Sequence, residues 1–250
     1  MGVGFLVYDV LFVLCATLLY GGAVTAGVRA FLTLSAHVSW PLAIVPSLVV
    51  ALLALIAEVF VATSLCPPLR PGRYRMMKSV TFFSWLIRSM IRRLLFDCGL
   101  RWLLFSSNVL RFLALRALGA RVAFTASMST DVTVLDPSLL VIGPGAMIGS
   151  RSYLSSHWVE HGRLILAKIE IGEGSLLALD VLCSPGVVIG KKVTVKAFAI
   201  LAPNVRIDDE ADIGAACQID TAAHIGRKAR LESRSYVAQR QVVAEDAHYP

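Results

Sequence analysis

The sequence predicts a parallel β-solenoid of six-residue repeats, preceded by an α-helical membrane region. Three observations carry that expectation. An apolar residue recurs at every sixth position through the second half of the chain. Two long apolar runs fill the first quarter. Charge is sorted sharply between the halves.

The 250 residues are 56% hydrophobic and only 16% charged, with a mean hydropathy of +0.70. Ordinary soluble domains carry about 25% charged residues. Disorder is excluded, and a freely soluble enzyme is disfavoured. The net charge is +7. Residues 1–118 hold eleven Lys/Arg against three Asp/Glu, whereas residues 119–250 hold thirteen against fourteen. The excess positive charge therefore sits in the apolar half, which suits anionic lipid head groups. No basic patch interleaved with aromatics marks a nucleic-acid partner. Cys15, Cys66, Cys98, Cys183 and Cys217 have no C-x-x-C or zinc spacing, which points to reduced thiols and no metal centre.

Residues 1–70 are expected to form two transmembrane helices. Phe5–Val28 is apolar apart from Asp9, and Pro41–Leu65 is apolar apart from Glu58. Each is long enough to span a bilayer. No Lys or Arg precedes the first run, which argues against a signal peptide. Cys66-Pro67-Pro68 and then Arg70, Arg73, Arg75 and Lys78 follow the second span. The positive-inside rule places this cluster, both termini and the repeat domain in the cytoplasm. Asp9 and Glu58 are expected near the interface and against a neighbouring helix, respectively.

Residues 71–118 are expected to be basic amphipathic interfacial helices. Over 76–96, Arg88, Arg92 and Arg93 fall opposite Phe83, Leu86, Ile87, Met90 and Leu94. The 100–118 segment repeats the theme with Arg101, Arg111 and Arg116. It is also the obvious cap for the solenoid's open end.

Residues 119–250 carry the repeat. Ile171, Leu177, Cys183, Ile189, Val195, Leu201, Ile207, Ile213, Ile219, Ile225, Leu231 and Val237 keep one beat without a slip. Four residues after each of the first eleven stands a small or β-branched residue, from Ser175 to Ser235. Gly172, Gly190, Gly214 and Gly226 directly follow inward residues, where glycine tolerates turn backbone. A period of six fits a stacked solenoid with a continuous aliphatic interior. Ile142, Ile148 and Leu154 keep the beat upstream, and 120–138 is expected to add a ragged coil. Between Leu154 and Ile171 the beat is lost. An ejected loop, 155–170, is therefore expected, holding His157, Glu160 and His161. Such loops commonly carry function.

The segments SYLSSHWVEHG, IEIGEGS and SPGVVIG resemble the hexapeptide-repeat acyltransferases, including galactoside and colanic-acid O-acetyltransferases. LRALGARV and DPSLLVIGPGAMIG are similar to the carboxy-terminal membrane region of poly-lysine-synthetase-type peptide synthetases. The likeness covers roughly residues 108–207. It implies an all-β left-handed parallel β-helix, three hexads per coil and a homotrimer with sites between subunits. It also implies acetyl-CoA or another acyl thioester as co-substrate, no permanently bound cofactor, and a histidine base at the start of the ejected loop. His157 matches that position. Glu160 is a candidate to orient it, and His161 is the second candidate base. An imidazole is suited to accepting a proton at neutral pH. Lys191 and Lys192 are candidates for the donor's phosphates or an ordinary solvated turn. Phe198 departs from the family's small residues and would crowd a donor groove.

The expected function is thus acyl transfer to a hydroxyl or amine of a membrane-proximal acceptor. Amide formation from a carrier-bound or aminoacyl donor is one alternative. A non-catalytic trimeric membrane scaffold is another. A metal-dependent carbonic anhydrase of this fold needs three histidines on adjoining faces, and His157, His161 and His224 do not supply them.

Overall fold

A computed structural model describes residues 2–250, with side chains from Leu6 onward. Met1 and the side chain of Phe5, at the start of the first expected span, lie outside the described residues. Helix α1 (Gly2–Ser35) and helix α2 (Trp40–Leu65) form a hairpin. Arg29 lies within α1, and residues 36–39 connect the two helices. Gly22 lets α1 approach α2 so closely that any side chain there would strike the Glu58 carboxyl. Glu58 thus faces its neighbouring helix. Only 17% and 22% of the most apolar stretches of α1 and α2 are buried. Leu18, Val24, Leu42, Val45, Leu48 and Phe60 are all exposed. Both helices are long and apolar enough to cross a membrane.

Residues 71–118 differ from a plain run of interfacial helices. Gly72–Arg75 is a β-strand. Helix α3 (Val80–Phe96) follows, its first turn capped by the Ser79 hydroxyl, which accepts from Phe82 N–H. It buries Phe82, Met90, Ile91, Leu94 and Leu95, while Phe83 and Ile87 are exposed. Ser107 splits the next segment into α4 (Arg101–Ser106) and α5 (Asn108–Ala117). This pair covers the solenoid's first coil, as its amphipathicity suggested. Two of the three arginines responsible point inward, however, while Arg116 stays exposed. Arg111 is buried and donates to the carbonyls of Ala126 and Met128 at 2.9 and 3.1 Å. Arg101 donates to Asp131 O and Thr133 Oγ1 at 3.0 and 2.9 Å. Open-ended backbone needs donors, and a guanidinium supplies several at once.

From Arg121 the chain winds through three parallel sheets of seven, seven and six strands. This is the architecture of a left-handed parallel β-helix. Most strands are two residues long, and the second residue of each points inward. Ile189, Ile207 and Ile225 stack in one sheet, and Val195, Ile213 and Leu231 in the next. All six are buried.

Two details differ from expectation. Residues 120–138 make a regular coil, with Val122, Met128 and Val134 inward and paired to Ile142, Ile148 and Leu154. Its irregularity is confined to the exit, where Pro137–Leu139 forms a 3-10 turn. The glycines after inward residues also serve a different purpose. Gly172 does not have positive φ; a Cβ there would collide with Gly190 O of the next coil. The left-handed backbone falls two residues later. Every sixth residue from Gly174 to Asp246 has positive φ, including Lys192, Phe198 and Asn204. The coils also run past Val237, through Val242–Val243 and His248–Tyr249.

This register makes a sharp contrast testable by urea unfolding. Ile207→Ala, deep in the prism, is expected to cost about 2–5 kcal/mol. Ile200→Ala, on the outer face, is expected to cost under about 1 kcal/mol. A second test uses Cys183, which is fully enclosed; burial pushes its thiol up to about 12. The unfolded thiol ionises near 8.5 by its ordinary chemistry, whereas the native one keeps its proton. Its contribution is therefore complete below about pH 8.5 and is lost as pH climbs toward 12. Between pH 8 and 11 the urea midpoint should fall further in the parent protein than in Cys183→Ala.

Candidate active site

The site is built where two successive coils leave the same corner. After Thr133–Val134 the chain turns through Leu135, Asp136 and the Pro137–Leu139 turn. One coil later, after Tyr153–Leu154, it departs as an antiparallel hairpin. His157–Glu160 pairs with Arg163–Leu166 around His161-Gly162. Both turn residues have positive φ, at 47° and 70°. That is the backbone of a two-residue hairpin turn whose twist matches its strands. Gly72–Arg75, just past the apolar helices, adds a third antiparallel strand against Arg163–Leu166. Leu164 and Leu166 from the hairpin, Phe82 from α3 and Leu139 form a separate small core.

These departures bring Asp136 and His157 together. His157 Nδ1 lies 2.6 Å from Asp136 Oδ2. The Asp136 side chain is 2% exposed and that of His157 21%. Asp136 also accepts from Trp85 Nε1–H at 2.8 Å and from Ser156 N–H at 3.2 Å. The Trp85 ring meets the imidazole edge-on, with centroids 4.9 Å apart. Asp136 accepting from Nδ1–H leaves Nε2 with its lone pair, the form a general base needs. A carboxylate held by three donors fixes the imidazole's orientation as well as its tautomer.

His157 opens onto a cavity of about 790 Å³. Tyr8 and Asp9 of α1 line it, with Met76, Phe82, Trp85 and Leu86 from the α3 side and Tyr153 from the solenoid. Two of its charged groups are already engaged. Arg92 pairs with Asp97 at 3.0 Å, and Arg93 donates to the Tyr8 hydroxyl at 3.1 Å. The cavity thus joins the end of an apolar helix to a base-ready histidine. Its mostly apolar wall with a few convergent polar groups is what small-molecule sites commonly show.

The remaining candidates lie elsewhere. Glu160 and His161 occupy the hairpin tip, at the far end of the strand that His157 begins. His161 is 89% exposed, and its Nδ1 is 3.5 Å from Glu160 Oε1. Neither lines the cavity. Lys191 and Lys192 sit on an outer corner of a later coil and do not line it either. The Lys191 N–H donates to Asp209 Oδ1 at 2.7 Å. Phe198 is an exposed corner residue. His224 forms its own short contact to Asp208, at 2.7 Å, but both side chains are more than one-third exposed. Enclosure separates His157 from this second histidine–aspartate pair.

Asp136 and Trp85 were not singled out from the sequence. A signal for Asp136 existed: Val134 to Ile142 is eight residues instead of six, and Asp136-Pro137 fills the slip. Trp85 offered none, because its bond to Asp136 bridges 51 residues.

No family model matches the chain. A curated relative, the delta-poly-L-ornithine synthetase of Acinetobacter baumannii (strain AB307-0294), is 32% identical over 126 residues. That match takes in 50% of this chain but spans only 9% of the relative's length. One similar solved structure is a hexapeptide transferase family protein from Anaplasma phagocytophilum, at 21% identity and a TM-score of 0.43. The match covers 52% of this chain and 75% of that one. Another is the UDP-N-acetylglucosamine acyltransferase from Campylobacter jejuni, at 14% identity and a TM-score of 0.34. There the shares are 50% and 65%.

Stability should separate the two groups of residues. Asp136→Ala strands three donors around a buried site and is expected to cost about 2–4 kcal/mol. Glu160→Ala and His161→Ala, at the exposed tip, should stay within about 0.5 kcal/mol of the parent in chemical denaturation.

Proposed function

We propose that this protein is a membrane-anchored acyltransferase in which His157 is the general base. The observation that carries this reading is the enclosed His157–Asp136 pair, with His157 lining the cavity and its Nε2 making no hydrogen bond among the described residues. The acceptor's hydroxyl or amine attacks the carbonyl carbon of an acyl thioester as Nε2 takes its proton. The tetrahedral intermediate then collapses and breaks the carbon–sulfur bond. The departing thiolate receives that proton from the imidazolium. Asp136 holds the ring through both steps and stabilises its charged form. The remaining catalytic power comes from holding acceptor and thioester in register.

Acetyl-CoA or another acyl-CoA is the donor in this reading, and the acceptor is membrane-proximal. The bare apolar faces of α1 and α2 support insertion in a bilayer. The basic residues Arg70, Arg73, Arg75 and Lys78 favour a cytoplasmic repeat domain. A homotrimer belongs to the same reading. Leu182 and Ile200, exposed and paired in one sheet, offer an apolar face for it. The likeness to the poly-ornithine synthetase favours a second reading, amide formation on an amine from a carrier-bound donor.

Full-length protein reconstituted in lipid, assayed for acyl-CoA consumption against a panel of hydroxyl and amine acceptors, tests this. His157→Ala should lower the transfer rate by about 10²–10⁴-fold while leaving folding intact. Asp136→Asn should lower kcat by at least about tenfold, because an amide can hold the opposite tautomer. Wild-type rates in the His157→Ala protein would overturn the assignment. Turnover with carrier-bound donors alone would select amide formation. No turnover with any donor would leave a scaffold.

A further inference from the structure

A second cleft, of about 420 Å³, lies where α2 ends. Arg70, Arg88, Arg116, Arg121 and Lys168 line it, and no carboxylate does. These cations come from four places: the exit from α2, helix α3, the end of α5, and two coils of the solenoid. Among the described residues, none of the five lies within 4.0 Å of an acidic group. Five like charges gathered around one hollow, four of them exposed and one half-buried, favour an anion there.

Two further atoms of the lining want partners. Thr63 Oγ1, in the last turn of α2, is buried without a hydrogen bond, although a helical hydroxyl can bond the carbonyl four residues back. Arg88 Nε is likewise buried and unbonded. Burial also pushes the Arg88 guanidinium below its usual range, so its charge is under-compensated. Local duties account for only part of this set. Arg88 donates through NH2 to Cys66 O at 2.9 Å. Arg116 stands in the last turn of α5, where a cation complements the helix dipole. Arg70, Arg121, Lys168 and the two orphaned atoms are left over. Asp136 borders the narrow gap shared with Thr63 and Arg88, but its oxygens already take three donors.

We infer that this cleft binds a phosphate group. Tetrahedral oxyanions accept from several forked guanidinium donors at once, which matches the composition of the lining. Its position suits a phospholipid headgroup. Phe60 and Leu65 are exposed at the same end of α2 and would lie among acyl chains. A soluble phosphate ester offers the same chemistry. The inference does not depend on acyl transfer, because the cleft stands apart from the cavity that holds His157.

The test uses full-length protein in a neutral detergent, titrated with phosphatidylglycerol in mixed micelles and followed by its thermal midpoint. A glucosyl diacylglycerol with the same chains is the phosphate-free control, and glycerol 3-phosphate is the soluble arm. A phosphate ligand should raise the midpoint where the glycolipid does not. Arg116→Glu/Arg121→Glu should weaken the apparent affinity by about tenfold or more. Arg234→Glu/Arg240→Glu, the same charge change on distant coils, should not. Arg121→Gln/Lys168→Gln, a milder pair on exposed side chains, gives the answer if the first pair folds poorly. A response to phosphatidylglycerol alone assigns a lipid headgroup. A response to glycerol 3-phosphate of equal strength assigns a soluble ester. Equal responses to phosphatidylglycerol and the glycolipid, or equal losses in cleft and distant variants, would overturn the site.

Discussion

Each coil must return to hydrogen-bonding distance of itself after eighteen residues, as Leu176 does with Thr194 and Leu182 with Ile200. Nothing else in the molecule is so constrained. Strands of two residues bury little on their own, so each is held by the coils above and below it. An extra residue cannot be absorbed within the prism. It must leave at a corner, and the coil must then resume in phase. The chain does this after Val134 and again after Leu154, at one corner of adjacent coils. The first departure places Asp136 and the second places His157. Stacking brings them within 2.6 Å although 21 residues separate them. The site is therefore a product of the coil period and its two violations.

The helical segments complete what the solenoid begins. Helix α3 lays Trp85 across the Asp136–His157 pair and closes one wall of the cavity. Helices α4 and α5 direct Arg101 and Arg111 to the first coil's carbonyls. A basic amphipathic helix next to apolar spans reads as a lipid-surface element, and α3 keeps exposed apolar residues of that kind. Arg101 and Arg111 instead answer a need of the solenoid. An uncovered coil end is an edge, and edges that are neither paired nor covered invite association.

Legibility in the sequence followed locality. Twelve inward residues from Ile171 to Val237 announce the prism because each is placed by its neighbours six residues away. The first coil was harder to read, since only Val122, Met128 and Val134 keep its beat before the slip. His157 stood out as the first histidine past a break in rhythm. Its partners did not. Asp136 is set by stacking and marked only by the eight-residue step from Val134 to Ile142, while Trp85 is set by the docking of α3 and leaves no trace in short-range spacing. The corner glycines show a subtler failure. Residue type alone suggested turn conformation, whereas the close approach of the next coil is what excludes a Cβ at Gly172.

The pairing of Gly72–Arg75 with Arg163–Leu166 has a practical bearing on how the protein can be handled. A soluble fragment begun at the first repeat would keep every coil and still lose the outer strand of the three-stranded sheet. The backbone of Arg163–Leu166 would become a bare edge, and Leu164 and Leu166 would lose part of their cover from Leu69, Tyr74 and Met76. The hairpin beginning at His157 would then be free to shift or to recruit a strand from another molecule. Removing the apolar helices to ease purification thus alters the hairpin that begins at His157, so a silent fragment says little about the whole chain.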